Sequence, residues 1–367
     1  AGRIGETAVR GGGRLDLGAR PAAIDGRLEL DRLDGETAAE TLLGGAVVGD
    51  DDKTPFATTP LTGPAFDGAV AGTLALSVGR LDLGSGGLDR VRTRLVLRPG
   101  ETRLEAIEAG GFGGRLGGEM ALRRSGDGPT GLSGRLSLSG ARLGEVAWRR
   151  MGRPVADGRL DGEVSFTASG RTAAALVAGL DGEGRIALGG ARVVGIGGAA
   201  LAATREALGE APPTPEAVAA AFRARLDTSE SEVPATEVAF ALQAGVARSG
   251  RSVIETASAR VTGRVAIDLP HLSLDADGSM EPVGAALEAT KTAISKATPS
   301  VGFAFRGPIA APERSLDVTP LVAHLTLSGI EREVERVEAL QQDIAERARI
   351  ARERRRLEEI RAAEEAA

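Results

Sequence analysis

The sequence predicts a mainly β protein. The expected form is an elongated, curved antiparallel sheet, an open, taco-like groove, with a few short helices and a long charged C-terminal helix. Three observations predict it. One phrase keeps returning: Gly-Arg-Leu or Gly-Arg-Ile, an apolar–polar alternation, then Gly, at 13–18, 79–84, 134–140, 158–162 and 184–189. Period-two alternation bounded by Gly reads as a half-buried strand closed by a turn. Gly supplies 52 of 367 residues, about twice the usual ~7%, which suits many turns and bulges. Bulky rings are scarce, with 8 Phe, 1 Trp and no Tyr. A compact core commonly uses aromatics as its largest fillers; Leu, Val, Ile and Ala suit a thin sheet or a shallow channel better.

The elements follow in order. Residues 1–50 read as short strands with Gly turns. From Asp50-Asp51-Asp52-Lys53 to Pro64 the chain is a polar loop, and its Asp run lacks the spaced ligands and central Gly of a calcium loop. Residues 65–145 give the clearest ladder. Leu74, Leu76 and Val78 alternate, the phase slips at Gly79-Arg80, and it resumes with Leu81 and Leu83, as a bulge or tight turn would produce. Val91, Thr93, Leu95 and Leu97 form the next strand, ended by Pro99-Gly100. Leu104 and Ala106 follow, then Leu116, Met120 and Leu122, and after the Gly126-Asp127-Gly128-Pro129 turn come Leu136 and Leu138.

Strands at Leu160, Val164 and Phe166, and at Ile186 and Leu188, flank a short Ala/Leu helix over 173–180 with a Ser/Thr start. A helical insertion is expected over about 196–227, where Thr214-Pro215-Glu216 supplies an N-cap, a first-turn Pro and an acid. Val238, Phe240, Leu242, Ala244 and Val246 alternate; Val261, Val265, Ile267 and Leu269 follow, then Leu272 and Leu274. Residues 283–298 read as weakly helical, Val301, Phe303 and Phe305 as a strong strand, and Leu316 to Leu327 as a last strand interrupted by Pro320.

At Ser328-Gly329-Ile330-Glu331 a capping box opens the charged tail. Val334, Val337, Leu340 and Ile344 make one narrow apolar stripe that thins beyond Ala351. Such a helix is either solvated and held by Glu–Arg pairs four residues apart, or it binds a partner or coils with another helix. The chain therefore divides into N-terminal groove strands (1–64), a groove domain (65–327) and a helical tail (328–367).

A sheet built this way has one continuous apolar face. The candidate lining of its groove is Leu74, Leu76, Val78, Val91, Leu95, Leu97, Leu136, Leu138, Val164, Phe166, Val238, Phe240, Leu242, Phe303 and Phe305. Spaced at ~4.8 Å, about 16–20 strands would line a channel on the order of 80–95 Å long.

Little else in the sequence suggests chemistry. The net charge of −6 gives no electrostatic reason for a nucleic-acid partner. Zero Cys removes disulfides and thiolate sites. Without Tyr the chain cannot build the aromatic girdles of a transmembrane barrel, and no run of 18 apolar residues is present. The chain opens without Met inside strand-and-turn grammar, so a preceding segment carrying an anchor is expected. His271 and His324 read as structural, since no Gly-x-Ser-x-Gly elbow or zinc spacing accompanies them. Gly195-Ile196-Gly197-Gly198-Ala199-Ala200 matches Gly-x-Gly-x-x-Ala, but its neighbours are Gly-turned strands, so it reads as a softened strand-to-helix junction. Asp275-Ala276-Asp277-Gly278 begins like a calcium loop and lacks the later ligands. No catalytic residue, cofactor or metal is expected, and no enzyme.

Three passages carry a family resemblance. One is the ladder from Leu74 through Gly111-Phe112-Gly113-Gly114-Arg115-Leu116-Gly117-Gly118-Glu119. The second runs from Leu160-Asp161-Gly162 to Leu180-Asp181-Gly182-Glu183-Gly184-Arg185-Ile186 and on to Val194-Gly195-Ile196. The third is Phe303-Ala304-Phe305-Arg306-Gly307-Pro308-Ile309-Ala310-Ala311-Pro312 with Leu316-Asp317. In this order they resemble, over roughly 65–327, the C-terminal domain of the AsmA family of Gram-negative envelope proteins, related to TamB. The resemblance implies a periplasmic body held at the inner membrane by an N-terminal helix. It also implies a role in outer-membrane biogenesis through phospholipid transport along an apolar groove, and it brings no catalytic residues. The tail after Ser328 lies outside the shared pattern and is a candidate contact for another envelope protein. The competing expectation is an elongated structural or adhesin-like β-solenoid scaffold, which would show a strict repeat length.

Overall fold

The computed structural model describes residues 2–4, 7–51, 54–64, 66–84, 86–124, 126–150, 152–208, 213–290 and 298–365. Asp52 and Lys53 of the predicted polar loop, and residues 291–297 of the predicted weak helix, lie outside the described residues.

The chain begins with β1 (Gly2–Ile4), β2 (Thr7–Asp16), β3 (Ala22–Asp34), α1 (Gly35–Leu43), β4 (Val48–Asp51) and β5 (Thr54–Phe56). The ladder continues with β6 (Val70–Asp82), β7 (Gly87–Arg98), β8 (Glu101–Gly111), β9 (Gly114–Arg123) and β10 (Thr130–Arg142). After α2 (Leu143–Val146), β11 (Arg149–Arg150) and β12 (Arg153–Pro154) come β13 (Ala156–Gly170), α3 (Ala173–Ala178) and β14 (Asp181–Val194). The helical insertion is α4 (Ala199–Leu208) and α5 (Pro215–Leu226). It is followed by β15 (Glu230–Val233), β16 (Thr236–Gln243), β17 (Val246–Ser249), β18 (Ser252–Glu255), β19 (Ala259–Asp268) and β20 (Ser273–Pro282). The last elements are α6 (Gly284–Thr290), β21 (Val301–Pro308), β22 (Glu313–Asp317) and α7 (Thr319–Glu365).

Eighteen strands form one sheet, which does not close into a barrel. From β6 to β10 each strand pairs antiparallel with the next, and the ladder continues through β13, β14, β16, β17, β19, β20, β21 and β22. Most of these neighbours are joined directly in sequence; β14 and β16 close over the helical insertion. About sixteen ladder levels at ~4.8 Å make a sheet roughly 70 Å wide.

The sheet is mixed rather than wholly antiparallel. β3 runs parallel to β6, from Ala22 beside Val70 to Asp34 beside Asp82. Parallel neighbours need a crossover, commonly helical, and residues 35–69 supply it. Its helix, α1, falls where short strands were expected. Asp34 caps it by accepting from the Thr37 amide, and Gly44 ends it at φ 70°, the left-handed conformation that Gly adopts without cost. β1–β3 therefore share one sheet with the ladder from β6 onward, while β4–β5 and β11–β12 are separate two-stranded hairpins.

The expected phase slip at Gly79-Arg80 is present, and its neighbours share it. Pairing skips Asp31 against Gly79 and Gly79 against Arg90, yet the register on either side is unchanged. All three strands switch faces at one level, with Arg90 at φ 52°. Leu30, Val78 and Val91 thus join Leu33, Leu81 and Leu88 in one apolar cluster. Leu83 is not part of it; it lies exposed in the turn. Ala106 also departs from expectation. It sits at φ 50° in a bulge, so Ile107 rather than Ala106 continues the face of Leu104. Ala244 and Gly245, at φ 48° and 75°, form a two-residue hairpin turn, so Val246 starts a new strand.

The predicted last strand over Leu316–Leu327 ends at Asp317. The Asp317 carboxylate accepts from the Thr319 amide at 3.0 Å, and Pro320 falls in the first turn of α7, where a missing N–H costs nothing. The long helix thus begins before Ser328, whose hydroxyl donates back to the His324 carbonyl within it. The principal core packs Leu201, Val218, Phe222, Leu321 and Leu325 of α4, α5 and α7 against Val261, Met280 and Val301 of the sheet.

Candidate functional site

Residues directly opposed in a ladder share a face. One such row runs from Leu74 to Leu95, Leu104, Met120, Gly134, Phe166, Gly182 and Leu242. A second runs from Ile107 to Gly118, Leu136, Val164, Gly184 and Phe240. A third joins Leu116, Leu138, Gly162, Ile186 and Val238. Leu76 opposes Thr93, Val78 opposes Val91, and Leu97 opposes Gly72. Phe303 and Phe305 stand on the same side at the far end, opposite Gly278 and Ala276. Every position in these rows is aliphatic, aromatic, Thr or Gly, and all fifteen residues expected to line a groove lie on this one face.

Glycine controls the relief of the face. Phe166 opposes Gly134, Phe240 opposes Gly184, and Phe303 opposes Gly278. A Cβ on those glycines would come 2.9, 2.3 and 2.7 Å from the facing ring's Cζ. Each ring lies over its glycine instead of standing off the sheet, an arrangement known to compensate for glycine in strands. The face is therefore shallow despite carrying Phe.

Other elements cover the two ends of this face. At one end the crossover places Leu43 and Leu61 over Leu132, Ala168 and Leu176. At the other, Phe303 packs on the cluster of α4, α5 and α7, and Trp148 from the α2–β11 segment meets Phe305 with ring centroids 5.7 Å apart. Val78, Val91, Leu97 and Leu242 are buried. Between the covers, Leu74, Leu76, Leu95, Leu136, Leu138, Val164, Phe166, Val238 and Phe240 are half-buried, and Ile186 and Val265 are 41% and 40% exposed. Leu104, Met120, Ile107 and Ile186 belong to the same strip and were not among the candidates. The alternation signalled three of them; the bulge at Ala106 hid Ile107.

The opposite face is polar. A concavity of about 750 Å³ there is lined by Arg103, Glu119, Arg135, Ser165, Thr167 and Glu183, among others. Arg103 and Arg123 reach Glu101 at 2.9 and 2.8 Å and hold its carboxyl below the usual range, against a smaller opposing effect of burial. A further charge cluster sits at the helical end. Arg150 and Arg314 both reach the Asp227 carboxylate at 2.5 Å. Burial pushes the pKa of Asp227 up, and the two guanidiniums together outweigh it, so the pKa is lowered.

The remaining motifs sit in turns, helix packing and ion pairs. His324 is buried on the packed side of α7, and exposed His271 lies 2.9 Å from Asp268 in a turn. Gly198 approaches the Ser258 carbonyl so closely that no Cβ fits, which accounts for the Gly195–Ala200 junction. Asp277 pairs with Arg264 at 2.8 Å, and Asp51 caps the Thr54 turn of the β4–β5 hairpin. No group of three metal-ligating side chains exists among the described residues, and none of their helices is long and apolar enough to cross a membrane. Compared with protein-family models, curated proteins and solved structures, the chain matches none.

Proposed function

We propose that this chain shields or conducts phospholipid acyl chains along the half-exposed apolar strip. In this reading it is a non-catalytic protein of envelope biogenesis, periplasmic and held at the inner membrane, with an AsmA-like role. The observation that carries the reading is the unbroken register of apolar and Gly positions from Leu74 to Leu242, left open between two covered ends. A soluble protein gains by covering such a strip. Acyl chains suit it because each methylene withdrawn from water contributes ~0.8 kcal/mol without demanding a particular shape. The rings laid flat over glycine keep the path smooth, and the head group stays at the wet margin.

Photo-crosslinking side chains placed at Leu76, Leu95, Leu138 and Phe240, one at a time, test this in cells. The expected product is a phospholipid adduct at each, and none from the polar-face positions Arg135 and Glu183. Adducts to protein alone at all four apolar positions would overturn the reading.

A further inference from the structure

Helix α7 leaves the body of the protein. Leu321, His324, Leu325, Ser328 and Glu331 are buried on its packed side, and every residue from 332 to 363 is exposed. The projecting part is about 48 Å long at ~1.5 Å per residue. On the side away from the body, Leu327, Ile330, Val334, Val337 and Ile344 are 50%, 58%, 45%, 42% and 65% exposed. Their spacing alternates three and four, with Gln341 filling the one gap and Ala348 and Ala351 continuing the pattern. That is the a/d repeat of a coiled coil. Val and Ile are poor helix formers where nothing packs on them, so a merely solvated helix has no use for them here.

We propose that the occupant of this stripe is the same helix from a second copy of the chain, running antiparallel and centred between Gln341 and Ile344. Two features select that orientation. The first is volume. Antiparallel pairing opposes Val334 to the second copy's Ala351 and Val337 to its Ala348, so these layers join a large residue to a small one, and Gln341 meets Ile344 at the centre. Parallel pairing would stack Val on Val and leave Ala on Ala as voids. The second is charge at the positions flanking the seam. Antiparallel pairing sets Glu333 against the second copy's Arg354, twice by symmetry. Parallel pairing sets Glu333 against Glu338 and Arg347 against Arg352, with only Arg354 and Glu359 attracting. The intrahelical pairs Glu333–Arg336, Asp343–Arg347 and Glu346–Arg349 keep the projecting helix formed before it meets its partner.

Sedimentation equilibrium of the whole chain is expected to show a dimer at micromolar concentration. Val337→Asp, at a solvent-exposed site that leaves the body folded, should raise the dimer dissociation constant at least tenfold. Glu333→Arg and Arg354→Glu should each weaken association several-fold, and the double exchange should restore it. The chain has no Cys, so introduced thiols report orientation cleanly. A mixture of Val337→Cys and Ala348→Cys chains should give the mixed disulfide. Neither alone should crosslink, because like residues then lie about 16 Å apart along the helix. A chain that stays monomeric at 100 µM overturns the proposal, whether or not it binds vesicles of anionic phospholipid. So does a dimer in which Val337→Cys crosslinks to itself, or one that Glu333→Arg strengthens.

Discussion

Gly184 shows how a single missing side chain shapes the apolar face. Its absent Cβ would stand 2.3 Å from Phe240 Cζ and 2.5 Å from the Glu163 carbonyl. Gly184→Val should therefore cost ~1–3 kcal/mol through overpacking, seen as a lower denaturation midpoint at unchanged slope. A cost below a few tenths would mean the ring moves freely and the flat lie of Phe240 is not set by its neighbour. The sequence displays these glycines plainly but not their partners, because a cross-strand pair depends on register and register is not local. The three face-switching positions Asp31, Gly79 and Arg90 teach the same lesson. Only Gly79 advertises its role; Arg90 takes a left-handed conformation because its neighbours switch there too.

At the scale of elements, ladder order and helix positions followed from alternation, turn residues and caps. Thr214-Pro215 does open α5, and the Thr172 hydroxyl does cap α3. The sequence does not signal α1, whose nine residues are short and bracketed by strand-like segments, the four-residue α2, the β4–β5 hairpin where a polar loop is expected, or the start of α7, where Pro320 reads as a breaker. Contacts between distant elements also escaped. The Asp227 cluster joins the end of α5 to β22 and to the β11–β12 hairpin. Its carboxyl is held below the ordinary value. Its contribution is therefore full above the unfolded carboxylate range and is lost as pH falls through the lowered folded value. Protection of amides at the end of α5 and along β22, measured relative to the intrinsic exchange rate at each pH, should fall on acidification below about pH 4, and Asp227→Asn should remove that pH dependence while showing less protection at neutral pH. An unaltered acid response in the variant would show that another carboxylate holds this corner.

Taken as a whole, the molecule presents a charged face and an aliphatic face, and the proposed transport requires the aliphatic one to stay open in its middle. Leu95 sits in the longest row, half-buried. Leu95→Arg should leave the chain folded, with its guanidinium reaching to the rim, and should abolish lipid adducts at Leu138 and Phe240. If circular dichroism instead shows that Leu95→Arg unfolds the sheet, the strip is a packed interior and the acyl-chain reading fails. Mainly-β character and the long C-terminal helix were legible in the sequence, and alternation sufficed to put the fifteen apolar candidates on one face. The parallel step at β3–β6 was not, because a crossover of residues 35–69 has no periodicity of its own.

That single parallel step also divides the molecule in time. Most other neighbours in the strand array can be gathered from a nearby partner by zippering; β14 and β16, which close over α4 and α5, are the other distant pair. β3, in contrast, must wait until the whole intervening excursion has closed and β6 is in place, a slower event for entropic reasons. The first three strands should therefore be among the last to join and, attached through β6 alone, the first to detach, forming a flap whose opening exposes one margin of the array while the remainder holds its shape.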